Sequence, residues 1–309
     1  MAIPVLIDTD LGIDDAVAVS LALASDALDL RAIVGVGGSV GVDQVMINIG
    51  RMLDALNPPT VPMIGRGLDQ TTPGLSDRRD LFGEDGLGNW DRPDKEDLDP
   101  SDFRDVYRRT IEDAGGALNI LSIGPLSNLA AILADTPSQL QSVRRVYVAG
   151  GAVWAKGDAN EFAEFSFHRD PQAASKILSA GLPLTVIPLD VAGLVCLDQS
   201  HAAHMAASGY RTGEVPSQIL EYVLEQNSEP GYGKAFVPAA VAVGSMIWPD
   251  LFLKTRMRLE IATDGREAGR CKPALGGDKS KQIDLLTAVN AVDFLENMLE
   301  SLCHEAFIV

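Results

Sequence analysis

Little in this 309-residue chain points toward nucleic acid, a membrane or an oxidising compartment. Cysteines number three, Cys196, Cys271 and Cys303, odd in count and far apart. That pattern argues against a disulfide framework or a zinc site and fits a reducing compartment. Basic residues are scarce: 25 Lys and Arg face 43 Asp and Glu, a formal net charge of −18. No basic cluster offsets this locally, so the surface repels nucleic acid and anionic membranes. No apolar run approaches the roughly 20 residues needed to span a bilayer. The start, "MAIPVLID", lacks the basic-then-apolar pattern of a secretory leader. A cytoplasmic protein is expected. Repeats, low-complexity tracts and an obvious linker are missing too, which predicts one domain over 1–309.

What is present is a filled core, with 46% hydrophobic residues and a mean hydropathy of +0.10. Apolar, β-branched runs predict strands at 3–8, 30–37, 61–64, 117–123, 143–150 and 182–189. Amphipathic runs between them predict helices at 14–25, 42–56, 101–114, 125–135 and 171–180. Runs apolar on both faces, alternating with helices, indicate an α/β fold with a mostly parallel central sheet flanked by helices. Beyond residue 196 the pattern predicts helices at 198–207, 216–228 and 238–247, a hairpin turning at Asp264-Gly265, and a last helix over 288–303. The irregular stretch 65–100 has the length of a lid or binding loop.

In open parallel sheets, ligands bind outside the carboxyl ends of the strands. The first such end reads "IDTDLGIDDA", with Asp8, Asp10, Asp14 and Asp15 inside eight positions. Carboxylates that close raise one another's pKa unless a cation joins them or some stay protonated. Hard oxygen donors favour Ca²⁺ or Mg²⁺ over zinc. The alternative is that Asp14 and Asp15 cap a helix N-terminus, where a carboxylate gains roughly 0.3–1 kcal/mol. Capping accounts less easily for Asp8 and Asp10.

The stretch "DTDLGIDDA" resembles the DxDxGxDDA signature of the nucleoside hydrolases, the inosine-uridine-preferring N-ribohydrolase family. The resemblance runs along the chain: "FGEDGLG" (82–88) is similar to the family's HGxxGLG loop, "LSIGPLSNLA" (121–130) to its GPLTNLA turn, "VAGGAV" (148–153) to its MGGG strand end, and "AEFSFHRDPQAA" (163–174) to its AEFNxxxDPEAA segment. It implies hydrolysis of the N-glycosidic bond of a nucleoside or nucleoside-like N-riboside, with Ca²⁺ holding the ribose 2′ and 3′ hydroxyls. Carried over by position, Asp10 is base and metal ligand, Asp15 and the Ile123 carbonyl are metal ligands, Asp14 binds a ribose hydroxyl, Glu164 holds the sugar and Asp8 orients its neighbours. A homodimer or homotetramer is implied as well. An oxocarbenium-like transition state is positive, and carboxylates around it stabilise it.

Several family positions differ. Ser39 stands for an asparagine after the second strand, Ser166 for the asparagine of AEFN, and Asp158 for one near the 5′-hydroxyl, with Asn160 a neighbouring substitute. Phe82 replaces the histidine of the HGxxGLG loop, and Pro238 and Ala239 fall where a late His-Asp pair is expected. No His or Asp occurs between Asn227 and Trp248. Three readings follow: an active hydrolase, a ribosyl-ligand-binding relative without turnover, and a hydrolase of a non-standard glycoside. His168 is either a replacement acid or a histidine packed behind the site. Trp90 and Tyr232 either stack on a base or pack. His201 and His204, three apart on a predicted helix, read as a solvated face.

Overall fold

The computed structural model describes residues 2–69, 78–95, 98–226 and 233–304. Along the chain, β1 (Ile3–Thr9) leads into α1 (Ile13–Ala24), and β2 (Leu28–Gly35) into α2 (Val42–Leu56). After β3 (Met63–Arg66) and the one-turn α3 (Arg79–Phe82) come the two-residue β4 (Ser101–Asp102) and α4 (Phe103–Ala114). Next, β5 (Asn119–Ser122) is followed by α5 (Ser127–Asp135) and α6 (Pro137–Ser142), and β6 (Arg145–Ala149) by α7 (Phe165–Arg169) and α8 (Pro171–Leu178). β7 (Leu184–Ile187) precedes α9 (Leu189–Ala192), β8 (Cys196–Asp198), α10 (Gln199–Ala206) and α11 (Arg211–Gln226). The chain then forms β9 (Lys234–Phe236), α12 (Pro238–Ile247), β10 (Phe252–Ile261), β11 (Cys271–Ala274), β12 (Ile283–Val289) and α13 (Ala291–Leu302).

Ten of the described strands form one sheet in the order β11-β10-β12-β7-β6-β5-β1-β2-β3-β4. Pairing is parallel from β12 through β4 and antiparallel where β10 meets β11 and β12. The expected mostly parallel sheet in a single α/β domain is what the chain forms. β1 is central and fully covered from Val5 onward, as a strand with helices on both faces must be.

Local chemistry sets the helix ends. Asp102 caps α4 by accepting from the Arg104 amide at 2.8 Å, and Gly115, at φ 55°, ends it. Asp170 caps α8 in the same way, with Pro171 at the first helical position. α1 is apolar nearly all round because α11, α12 and α13 surround it on its face of the sheet. That burial carries its N-terminal Asp14 and Asp15 inward. A second core of Leu6, Val34, Phe103, Tyr107 and Leu129 fills the opposite face beneath α4 and α5.

Three expectations are corrected. The last helix begins at Ala291, because residues 283–289 form β12. That strand lies between β7 and β10, fastened by Asp284, which meets Lys254 at 2.9 Å and Arg145 at 3.1 Å. α11 starts at Arg211, five residues early, with Pro216 inside it. The hairpin exists, but β10 and β11 join through all of 262–270, so Asp264-Gly265 is part of a longer loop and not a two-residue turn.

Candidate active site

A cavity of about 620 Å³ opens where parallel strands end, bordered by Asp10 after β1, Ser39 after β2, Ile123 after β5, Gly150 after β6 and Ile187 at the end of β7. Its volume lies in the range of small-molecule sites. Asp14, Asp15, Asp158, Glu164 and Ser166 also line it. Eight of the nine sequence-predicted site positions thus meet in one place: Asp10, Asp14, Asp15, Ser39, Ile123, Asp158, Glu164 and Ser166. Asn160 is the exception: its Oδ1 accepts from the amides of Phe162 at 2.8 Å and Ala163 at 3.0 Å, closing a turn outside the lining.

The turn from β1 into α1 is held by its own side chains. The Thr9 hydroxyl donates to Asp15 Oδ2 at 2.6 Å and accepts from the Leu11 amide at 2.8 Å. Leu11 sits at φ 38°, a conformation costly for a non-glycine residue. Asp15 Oδ2 also accepts from the Gly12 amide at 3.3 Å. Asp10 Oδ2 accepts from both the amide and the hydroxyl of Ser39, at 2.6 and 2.7 Å. Room for Asp10 depends on two glycines: a Cβ on Gly38 would lie 2.3 Å from Asp10 Oδ2, and one on Gly124 would lie 2.8 Å from the Asp10 nitrogen. Asp14 Oδ2 accepts from the Ala239 amide at 3.2 Å. The N-terminus of α12, where the late His-Asp pair is absent, therefore contacts Asp14 through its backbone.

Glu164 caps α7. Its Oε1 accepts from the Ser166 amide at 2.7 Å, and its Oε2 from Gly151 at 2.9 Å and Phe167 at 3.1 Å. Burial, with Asp158 nearby, nevertheless pushes its carboxyl up to about 7. Burial likewise raises Asp14 to about 6 and Asp15 well above the usual range, with neighbouring aspartates adding to each shift. In Asp10, Asp14 and Asp15 the side-chain bonds described here all engage Oδ2. Hard oxygen donors whose mutual repulsion is only partly offset by hydrogen bonds and by the Arg78 charge match a hard divalent cation. Among the described residues, however, no three His, Cys, Asp or Glu side chains form a closed metal-binding group.

Asp8 stands behind the cavity, fully buried, accepting from the Tyr107 hydroxyl at 2.6 Å and the Asn128 amide at 3.0 Å. Burial pushes its carboxyl up to about 7, and its Oδ1 has no hydrogen-bond partner. His168 is outside the lining, with Nδ1 at 2.8 Å from the Ala268 carbonyl. Trp90 is also outside it, nearly buried, with its indole N–H donating to Gln218 at 3.2 Å. His201 belongs to the capping box of α10. Tyr232 lies outside the described residues.

The sequence places Asp190 at a strand end without a role and gives no sign of Arg78 or Phe165. Arg78 and Phe165 line the cavity. Asp190 accepts from the amides of Val153, Trp154 and Ala155 at 2.7–2.9 Å and so fixes the loop beside it. Only Asp190 carried a signal, as the polar residue directly after a predicted strand.

An α/β sheet with four acidic residues at its carboxyl edge defines a class of protein as well as a site. A family model described as inosine-uridine preferring nucleoside hydrolase matches residues 5–296. The chain belongs to that family, whose members are N-glycosyl hydrolases. It is 27% identical over 270 residues to the pyrimidine-specific ribonucleoside hydrolase RihA of Escherichia coli K12, covering 86% of each chain. Among solved structures, a plant nucleoside hydrolase, the PpNRh1 enzyme, superposes with a TM-score of 0.89 at 21% identity, covering 98% of this chain and 99% of that one. The purine-preferring ribonucleoside hydrolase of Gardnerella vaginalis gives 0.89 at 22% identity, covering 97% and 98%. No described helix is long and apolar enough to cross a membrane.

Proposed function

We propose that this protein hydrolyses the N-glycosidic bond of a ribonucleoside or a similar N-riboside, with Asp10 as general base. The observation that carries this reading is the meeting of Asp10, Asp14, Asp15, Glu164 and the Ile123 backbone around one cavity. Asp10 is aimed by two hydrogen bonds from Ser39 and takes a proton from the water that attacks the anomeric carbon. Asp14 accepts a ribose hydroxyl, Glu164 and Ser166 hold the sugar, and Asp158 orders the wall beside it. Ser39 serves the substrate indirectly, by holding Asp10. The clustered carboxylates favour the positive charge that develops on the sugar.

Asp10, Asp15 and the Ile123 carbonyl are the ligands we assign to Ca²⁺. When bound, Ca²⁺ would neutralise the cluster, lower the pKa of a coordinated water and grip ribose hydroxyls. The oxygen-only donor set and the raised carboxyl pKa values support this ion class. A cytoplasmic homodimer or homotetramer completes the reading.

The competing reading, a ribosyl-binding relative without turnover, rests on Pro238 and Ala239 at the start of α12. One assay separates the two. Purified protein is incubated with a panel of purine and pyrimidine ribonucleosides, with Ca²⁺ or with chelator, and free base and ribose are measured. Release that needs Ca²⁺ and vanishes in Asp10→Ala supports hydrolysis; a nucleoside that binds but stays intact establishes the competing reading.

A further inference from the structure

Breaking an N-glycosidic bond leaves an electron pair on the departing nitrogen, so something must take up that charge. No histidine is among the described residues that line the cavity. Exposure orders that lining. Asp10 and Asp15, at 4% and 3%, form its floor. Phe82, Arg78 and Phe165 are half-buried above it, and Lys156, Lys234 and Phe236 are exposed at the mouth. A ribosyl group seated over the floor carboxylates leaves its flat base facing the half-buried wall.

Arg78 is the enclosed cation of that wall, its side chain 14% exposed. Its guanidinium carbon lies 4.1 Å from the centroid of Phe165 and 5.6 Å from that of Phe82. Its backbone amide donates to the Ser39 carbonyl at 3.0 Å, so the segment bearing Arg78 is tied to the residue that aims Asp10. Nη2 stands 3.0 Å from Asp158 Oδ2, yet it is buried and makes no aligned hydrogen bond. Asp158 itself is fixed by the Phe165 amide at 2.8 Å. The guanidinium is thus stacked on Phe165 and oriented by Asp158, on a residue that lines the cavity. A donor enclosed in this way acts at lower dielectric than the exposed lysines and stabilises developing charge more strongly.

Building on the hydrolase reading, we infer that Arg78 is the leaving-group residue, which takes up the negative charge of the departing base by hydrogen-bond donation. The water oxygen bonds to the anomeric carbon and its proton passes to Asp10. The carbon–nitrogen bond breaks, and its electron pair stays on the base nitrogen. Arg78 keeps its own proton, since a guanidinium is not deprotonated in proteins, and holds the base as an anion that solvent then protonates. The products are ribose and free base. Asp158 is a positioning residue for Arg78.

The test compares leaving groups. Nucleosides need help at the departing nitrogen, whereas p-nitrophenyl β-D-ribofuranoside releases an anion stable without it. Arg78→Gln should lower kcat on the best nucleoside by on the order of 100-fold and on the nitrophenyl riboside by less than about 3-fold. Arg78→Lys, which keeps a charged donor, should fall between wild type and Arg78→Gln on the nucleoside. Thermal midpoints of both variants report folding. Equal losses on the two substrates, or no loss on the nucleoside, overturn the assignment while leaving the hydrolase reading intact. Wild-type protein that releases neither base nor nitrophenol overturns both.

Discussion

The backbone amide of Ala239 donates to Asp14 Oδ2 at 3.2 Å, joining residues 225 positions apart. α12 thereby reaches the acidic floor with a peptide N–H, at the place where a carboxylate side chain would add a metal ligand. Ala239 is 2% exposed and lines the cavity. Ala239→Asp should therefore tighten Ca²⁺ binding about tenfold, by adding a hard oxygen beside Asp14. Calorimetric titration of chelator-treated protein measures it; an unchanged affinity would place the ion away from α12.

Asp10→Asn keeps the shape of the side chain and an acceptor for Ser39 but cannot take a proton. Ribose release should fall on the order of 10²–10⁴-fold, with the circular dichroism spectrum and thermal midpoint little changed. Turnover near the wild-type rate would remove Asp10 from the mechanism.

Gly38→Ala touches no substrate group, yet its Cβ would meet Asp10 Oδ2 at 2.3 Å. Either the carboxylate or the backbone of 38–39 must shift, breaking the two bonds from Ser39. A displacement near 1 Å at a reacting group costs about 100-fold in rate. Activity should fall by that order. An active Gly38→Ala enzyme would mean that the aim of Asp10 does not depend on Ser39.

The pH dependence of stability follows from Glu164. Its folded pKa of about 7 exceeds the ordinary 4.5, so between those values the native state binds more protons than the unfolded one. Stability of the metal-free protein should fall as pH rises through that window and level off above it. For this one group the loss is about 3 kcal/mol. Asp8 adds a loss of the same sign, since its carboxyl is raised to about 7. Urea unfolding in chelator at pH 5.5, 6.5 and 8 measures the slope, and Glu164→Gln should flatten it. A slope of opposite sign would mean that the carboxylate is favoured in the fold.

Tyr107→Phe removes the hydroxyl that donates to Asp8 at 2.6 Å. A buried carboxylate left with one donor fewer should cost about 1–3 kcal/mol. The cost should be greater at pH 8 than at pH 5.5, because only the charged form needs the donor strongly. Equal costs at both pH values would mean that Asp8 does not change its charge between them.

Much of this was legible in the sequence because it is local. α2 spans 42–56 as its apolar spacing predicts, and the carboxyl ends of strands located Asp10, Ser39 and Ile123 before any coordinate did. The failures are long-range. β12 reads "IDLLTAV" and is as apolar as a buried helix end, so nothing local reveals that it belongs between β7 and β10. Asn160 and Asp158 looked equivalent in a polar loop; only the folded turn sends one to backbone amides and the other to Arg78. Arg78 itself sits in "SDRRDLFGEDG" with no pattern to distinguish it. Its meaning comes from Phe165 and Asp158, which the fold brings to it from the far side of the sheet's centre.

The place of β12 also bears on how the protein is made. Asp284 and Leu285 pair with Thr185 and Val186, so one edge of the parallel sheet stays uncovered while the ribosome adds roughly a hundred more residues. During that interval β7 offers bare peptide groups to any neighbouring nascent chain, the condition under which edge strands associate wrongly. A chain released before β12 emerges keeps the acidic turn of β1 but exposes β7, the strand beside which β12 should lie.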